Sequence, residues 1–346
     1  MAETIFSFSR EYFSGRKTLS LMMLFFVGGL LSGDLARQID LQGEWRFEIG
    51  DNLDFALPSF NDAKWTRVQV PDAWENQGFP GYDGYGWYRI TFVMPGYLRN
   101  KMLFFKLGQI DDVDRVYFNG HLIGGRGDFP PRYNTAFNVN RVYQIPGTLV
   151  QFDRRNTLAV RVFDLHGSGG IVHGEVGIYT NDEFLPLFID LSGPWRFKAG
   201  DDTQFALKDF NDTVWRTIIV PSFWDQQGFS QVGSYAWYRK SFYMDNYGSN
   251  EKMILVLGKI KEMDQVFFNG RQIGETGMFQ SDYSNGSVKY RDQERAYFIP
   301  PDLIQKHGMN TIAVRVYDAE GCGGIYGGFV GICTREEFLR YTKRKK

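Results

Sequence analysis

One stretch of this chain occurs twice, and that duplication limits what the chain can fold into. Residues 107–127 read LGQIDDVDRVYFNGHLIGGRG, and residues 257–277 read LGKIKEMDQVFFNGRQIGETG. In each, a β-branched and aromatic run (Val116-Tyr117-Phe118, Val266-Phe267-Phe268) meets Asn-Gly and then more apolar residues. Asn-Gly suits a two-residue turn in which both central residues need φ > 0, so Asn119-Gly120 and Asn269-Gly270 each predict the tip of a β-hairpin.

The duplication extends well beyond the hairpin. Segments 41–51, 60–79 and 85–92 answer to 191–201, 210–229 and 235–242 at the same offset. After the hairpin, 145–164 answers to 299–318 and 167–179 to 321–333, which places a four-residue insertion between Tyr283 and Arg295. Period-2 alternation marks strands: Leu158, Val160 and Val162 oppose Arg161, and Ile312, Val314 and Val316 oppose Arg315. Leu103, Phe105 and Leu107 alternate in the same way, as do Met253, Leu255 and Leu257. Long amphipathic patterns are missing, so the expectation is all-β, with one antiparallel sandwich per copy. The copies span residues 38–186 and 187–340. A linker is expected at 180–190, short helical turns at Glu183-Phe184 and Glu337-Phe338, and a disordered basic tail at 341–346.

Composition narrows the function classes. A net charge of −1 provides no global field for nucleic acid or an acidic partner. Aromatics make up 17% of the chain; part of that must be core, and a surplus on loops would suit a ligand with flat apolar faces such as a sugar. The two cysteines, Cys322 and Cys333, answer to Ser168 and Tyr179, so the fold does not need them paired, and free buried thiols are expected. Residues 19–31 form an apolar run that is short against the ~20 residues of a spanning helix. With Arg16-Lys17 before it and Ser32-Gly33 after it, the run predicts a signal peptide over residues 1–33 and an exported chain, an uncleaved anchor being the alternative.

The copies carry a shared set of motifs: Gly43-x-Trp45, Val70-Pro71-x-x-Trp74, Trp87-Tyr88-Arg89, Asp114-x-Val116-Tyr117-Phe118-Asn119-Gly120, Asn156-Thr157-Leu158-Ala159-Val160 and Gly169-Gly170-Ile171. In this order they resemble the galactose-binding-like, sugar-binding jelly-roll domain that precedes the catalytic barrel of family 2 glycoside hydrolases, among them β-galactosidases and β-glucuronidases. A similar jelly roll sits inside sialate O-acetylesterases. The resemblance implies two tandem antiparallel jelly-roll β-sandwiches related by internal duplication. The rest of the chain is too short for a barrel of about 250 residues, and no Gly-Asp-Ser nucleophile block is present. The resemblance therefore implies a non-catalytic carbohydrate-binding protein with no cofactor and no metal. The alternatives are an accessory subunit docking a separately encoded glycoside hydrolase, or a structural, partner-binding surface protein. Neither nucleic acid nor a membrane span in the mature chain is expected.

Two loops carry the candidate binding residues. Residues 74–85 mix aromatic, amide and acidic groups, as sugar sites do, and supply Trp74, Glu75, Gln77, Tyr82 and Tyr85. The second copy answers with Trp224, Asp225, Gln227, Tyr235 and Trp237. A packed loop capping the sandwich accounts for the same residues equally well. The Gly-rich loop after the Leu158–Val162 alternation begins with Asp164 and His166, and Asp318 is the second-copy partner of Asp164. Both loops are expected on one rim. Asp111, Asp112 and Asp114 form a carboxylate cluster of the kind used in acid–base chemistry or Ca²⁺ binding, but only Asp114 persists in the second copy, beside Lys261 and Glu262. The preferred reading is structural, with Asp114 and Asp264 fixing the hairpins by pairing with Arg89 and Arg239. The four histidines show no metal-ligand spacing.

Overall fold

The computed structural model describes residues 35–229, 232, 234–245, 251–277, 290, 293–319 and 321–345. The expected signal peptide and most of the insertion between Tyr283 and Arg295 lie outside the described residues. The first repeat contains β1 (Ala36–Asp40), β2 (Gly43–Ile49), β3 (Thr66–Val70), β4 (Gly84–Val93), β5 (Lys101–Asp111), β6 (Val113–Phe118), β7 (His121–Arg126), β8 (Asn140–Ile145), β9 (Arg155–Asp164) and β10 (Gly170–Phe184). The second contains β11 (Ile189–Asp190), β12 (Gly193–Ala199), β13 (Arg216–Val220), β14 (Tyr235–Met244), β15 (Met253–Ile260), β16 (Met263–Phe268), β17 (Arg271–Thr276), β18 (Glu294–Ile299), β19 (Gly308–Tyr317) and β20 (Ile325–Thr334). Helix α1 (Arg335–Arg344) follows.

Among the described residues the strands assort into four antiparallel sheets, ordered β1-β10-β5-β8 and β3-β2-β4-β9-β6-β7 in the first repeat. The second repeat gives β11-β20-β15-β18 and β13-β12-β14-β19-β16-β17. The all-β, antiparallel expectation holds. The two tandem jelly-roll β-sandwiches do not: the sheets are arranged as a four-bladed, propeller-like β-structure. A jelly roll divides eight strands between two sheets, whereas each repeat here divides ten strands four and six. Alternation marks which face of a strand is apolar, but it does not say how many strands share a sheet or how the sheets are disposed.

Apolar side chains from both sheets of a repeat meet in one core. In the first repeat it includes Phe105, Leu107 and Ile178 of the four-stranded sheet with Phe47, Tyr88, Val116 and Val160 of the six-stranded one. The second repeat reproduces it with Leu255, Leu257 and Ile332 against Phe197, Tyr238, Val266 and Val314. The opposite face of each six-stranded sheet packs a smaller cluster, Trp65 with Trp87 and Trp215 with Trp237.

The hairpins form as the sequence predicts. Asn119 and Gly120 take φ of 49° and 84°, and Asn269 and Gly270 take 49° and 85°. Each asparagine also reaches across its sheet: Asn119 Nδ2 donates to Asn156 Oδ1 (2.8 Å), and Asn269 Nδ2 to Asn310 Oδ1 (2.9 Å). The partner expected for Asp114 is corrected. Arg89 pairs with Asp62 (2.8 Å) and donates to the Phe55 and Leu57 carbonyls, and Arg239 pairs with Asp212 in the same way. Asp114 instead pairs with Arg141 (2.9 Å), and Asp264 with Arg295 (2.6 Å), all four side chains being fully buried. The arginine lies 27 or 31 residues from its carboxylate, beyond the hairpin, where no local pattern points to it.

Two elements near the repeat ends differ from expectation, and the helical turn expected at Glu337-Phe338 is found. Glu183-Phe184 closes β10 rather than a helical turn. Glu337-Phe338 lies on α1, which Thr334 caps by accepting from the Glu337 amide (3.2 Å). The basic tail is helical through Arg344, and Tyr341 Oη lies within hydrogen-bond distance of Glu183 (2.7 Å) and Glu294 (2.8 Å), one carboxylate from each repeat. The repeats also join at Gln144, whose side-chain amide donates to the Gly328 carbonyl and accepts from its amide, both at 3.0 Å. Among the described residues, no helix is long and apolar enough to cross a membrane. Cys322 and Cys333 are unpaired, and burial pushes the Cys333 thiol up to about 12.

Candidate functional site

Three chain segments end at one rim of the first repeat. β5 finishes at Asp111, β9 finishes at Asp164, and a single 3-10 turn, Trp74–Gln77, lies between β3 and β4. Backbone pairing fixes their positions. Gly84 opposes Asp164, Gly170 opposes Asp111, and the Trp74 amide donates to the Gly169 carbonyl (3.2 Å). The 74–85 loop and the Asp164 loop therefore share a rim, as the sequence reading expected.

Asp111, Asp112 and Asp164 meet there, each placing a carboxylate oxygen within 4.8 Å of the other two. Asp112 is well partnered: it accepts from Thr135 Oγ1 (2.5 Å) and from the Leu165 amide (3.1 Å). Burial works against its charge, but these donors and Tyr133 outweigh burial and hold its pKa below the usual carboxylate range. Asp111 is pushed up to about 6 by burial and then by the Asp112 carboxylate. Asp164 is pushed up to about 7 by burial and then by the charges of Asp111 and Asp112, with the His166 backbone amide acting against the shift. The Asp164 side chain is fully buried, and neither of its oxygens meets a donor at hydrogen-bond distance and angle, the His166 amide acting on it only from outside that geometry. These carboxylates are closer together than the ~5–9.5 Å pairs that flank a glycosidic bond, and they suit sharing a positive charge better than bracketing a substrate. Asp114 is not part of the cluster, since Arg141 and Tyr143 consume both of its oxygens.

The proposed binding residues divide sharply. Trp74 and Trp224 are fully buried and belong to the two cores, so as binding residues both are corrected. The Trp74 ring lies 5.5 Å from that of Phe47, and its indole N–H donates to the Tyr82 carbonyl (3.1 Å). Trp237 is equally buried, in the smaller cluster with Trp215. Gln77 and Gln227 are clamps on an edge strand, each amide exchanging hydrogen bonds with a backbone group of Gln69 or Ile219. Glu75 accepts from the Gly169 amide with both oxygens (3.1 Å each), and Tyr82 donates to the Tyr85 carbonyl (2.9 Å). Tyr85 is half-buried, stacked on Phe129 with centroids 5.8 Å apart, and the Arg161 guanidinium lies over both rings. His166 is exposed on the Asp164 loop.

The second repeat rebuilds this rim with different chemistry. Lys261 stands where Asp111 does, with Nζ 3.4 Å from Asp318 and 2.6 Å from Cys322 Sγ. Glu262 accepts from the Ala319 amide (3.0 Å), just as Asp112 does from Leu165. Asp318 also accepts from the Gly321 amide (2.9 Å). Asp225 is half-buried; burial pushes its pKa up, and the Arg126 charge of the first repeat acts against that shift. The Asp225–Gln227 turn packs against β7, and Gln226 approaches Gly124 there. Tyr235 packs on Tyr317 (5.1 Å) beneath Arg315 (4.6 Å). The second-copy candidates are thus largely committed to internal contacts.

Reasoning from sequence missed Tyr133 and Phe129, although both recur in the second copy as Tyr283 and Phe279 at the same offset, and it placed Asp111 and Asp112 with Asp114 rather than Asp164. The available signal was the charge reversal from Asp111 to Lys261 opposite an aspartate that both copies keep.

Comparison with known proteins gives one sequence match and a set of distant structural ones. No protein-family model matches the chain. A β-galactosidase of Bacteroides ovatus is 28% identical over 169 residues, covering 45% of this chain and 18% of that enzyme. Among solved structures, a Bacteroides uniformis β-glucuronidase shares 16% identity at a TM-score of 0.37, covering 82% of this chain and 28% of its own. A Ruminococcus gnavus β-glucuronidase shares 13% at a TM-score of 0.36, covering 79% and 39%. At such TM-scores these structural likenesses support no argument. The chain spans less than a fifth of the length of the curated relative and under two-fifths of the two structures. The conclusion that stands is similarity to glycoside hydrolase family 2 enzymes over part of their length.

Proposed function

We propose that this chain is a non-catalytic carbohydrate-binding protein, exported, with its ligand site on the open rim of the first repeat. One contrast supports the reading. The first-repeat rim keeps aromatic and polar side chains at solvent, with Tyr133 half-buried and His166 exposed beside a carboxylate cluster. In the second repeat Lys261 neutralises the position of Asp111, and the Asp225–Gln227 turn packs against β7. Aromatic faces next to planar acceptors are what a sugar ring needs: C–H faces stack and hydroxyls find partners. The similarity to a β-galactosidase fits a carbohydrate ligand.

A second reading has its own observation. Phe137 (48% exposed), Val139 and Leu165 stand in solvent on the loops that bond Asp112, an apolar patch suited to docking a separately encoded glycoside hydrolase. A glycan array probed with the full chain separates the two. Saturable binding of a defined glycan class supports the first, and an array without hits, together with loss of enzyme docking on Phe137→Ser, supports the second.

A further inference from the structure

We propose that Asp111, Asp112 and Asp164 hold a hard divalent cation of the Ca²⁺ class in the first repeat. Three observations converge. The first is geometric. Ca²⁺–oxygen distances of ~2.3–2.6 Å put oxygens on opposite sides of one ion about 5 Å apart. All three carboxylate oxygens lie within 4.8 Å of one another, so they fit a single coordination shell.

The second is the state of Asp164. Its side chain is fully buried and neither oxygen meets a donor at hydrogen-bond distance and angle, although backbone pairing of Gly84 with Asp164 fixes the strand end from which it projects. A buried carboxylate without a donor costs several kcal/mol unless a cation faces it. Asp112, by contrast, accepts from Thr135 and Leu165 and retains lone pairs for a metal.

The third comes from the duplication. The second repeat keeps an acid at two of the three positions, Glu262 and Asp318, and replaces the third with Lys261, whose ammonium lies 3.4 Å from Asp318. That repeat carries a cation of its own in the place where the first repeat has a third carboxylate. The donor set is all oxygen, which favours Ca²⁺ or Mg²⁺ over softer metals. Three carboxylates joined at a loop junction match the flexible shell of Ca²⁺ better than the strict octahedron of Mg²⁺. Exposed Leu165 and His166 leave a path for the ion and for water ligands. The inference is independent of the carbohydrate reading.

The test uses the full chain, stripped with a chelator. Tb³⁺, a Ca²⁺ substitute, is titrated with excitation of the aromatic residues, Tyr133 beside Asp112 being a sensitiser in place. One saturable site is expected, displaced by Ca²⁺ more readily than by Mg²⁺, and Ca²⁺ should raise the melting temperature. Asp164→Asn, nearly isosteric, should weaken Tb³⁺ binding roughly tenfold or more. Asp111→Lys transplants the solution of the second repeat and should abolish binding and the Ca²⁺-dependent shift while preserving the fold. Wild-type protein without saturable Tb³⁺ binding, or Asp164→Asn with wild-type affinity, overturns the proposal. Loss of ion binding leaves the sugar reading untouched, and an array without hits leaves the ion site untouched.

Discussion

Removing Asp114 should cost far more than removing Asp114 together with its partner. Arg141 is fully buried; its Nε donates to Asp114 (2.9 Å), its Nη2 to the Asp112 carbonyl (2.9 Å), and its Nη1 to the Ala136 carbonyl (2.6 Å) and to Val139. In Asp114→Ala the three carbonyl contacts survive, but the guanidinium loses its fully buried counter-charge, and the Tyr143 hydroxyl loses its acceptor. Breaking one side of a buried ion pair costs about 3–5 kcal/mol. Replacing both members with apolar residues of similar size, Asp114→Leu with Arg141→Met, removes the stranded charge and should recover at least about 2 kcal/mol of that loss. Urea unfolding at constant pH reads both values from the midpoint, provided m is unchanged. The Asp264–Arg295 pair provides a replicate in the same molecule. A cost below about 1 kcal/mol for Asp114→Ala, or a double variant worse than the single, would refute the claim that these pairs lock the hairpins to the sheets. The result also bears on the site, because Arg141 holds the Asp112 carbonyl.

Two further outcomes follow from the packing. Trp74→Ala should destabilise the chain by about 3–5 kcal/mol, as for a fully buried aromatic, and a variant with an unchanged melting temperature would return Trp74 to the rim. Residues 38–186 and 187–340, expressed separately, should each show a cooperative melt, since each contains its own core. Both melts should fall below that of the full chain, because the Gln144–Gly328 and Tyr341–Glu183 bonds are lost, and a half without a cooperative transition would contradict separate cores.

What the sequence revealed and what it withheld follow a physical division. Asn119-Gly120 was legible because two positive φ angles in succession demand such residues. The strands were legible because one buried face imposes a period of two. Sheet membership was not, because β4 and β9 pair across more than sixty residues and no local pattern encodes a partner. The arrangement of four sheets was lost for the same reason. At the site, Asp164 was singled out as the first residue of a Gly-rich loop, and the structure places it at the rim, but as a buried group. Trp74 and Trp224 were misread because an aromatic in an irregular loop looks like a ligand platform. Each instead turns inward from its 3-10 turn to close its core. Asp111 was set aside because it changes between copies, yet that change to Lys261 is what exposes the electrostatics of the rim.

The central claim is that the first-repeat rim binds carbohydrate. Its most direct test is calorimetric titration of the best glycan from an array against the full chain and three variants. Tyr133→Ala and His166→Ala alter the rim, and Tyr97→Ala removes an aromatic that is 63% exposed elsewhere. Stacking and a polar contact are each worth about 1–3 kcal/mol, so the rim variants should lose roughly tenfold to a hundredfold in affinity while Tyr97→Ala binds as wild type. A glycan bound equally well by all four proteins, or no glycan bound by the wild-type chain, would contradict the account.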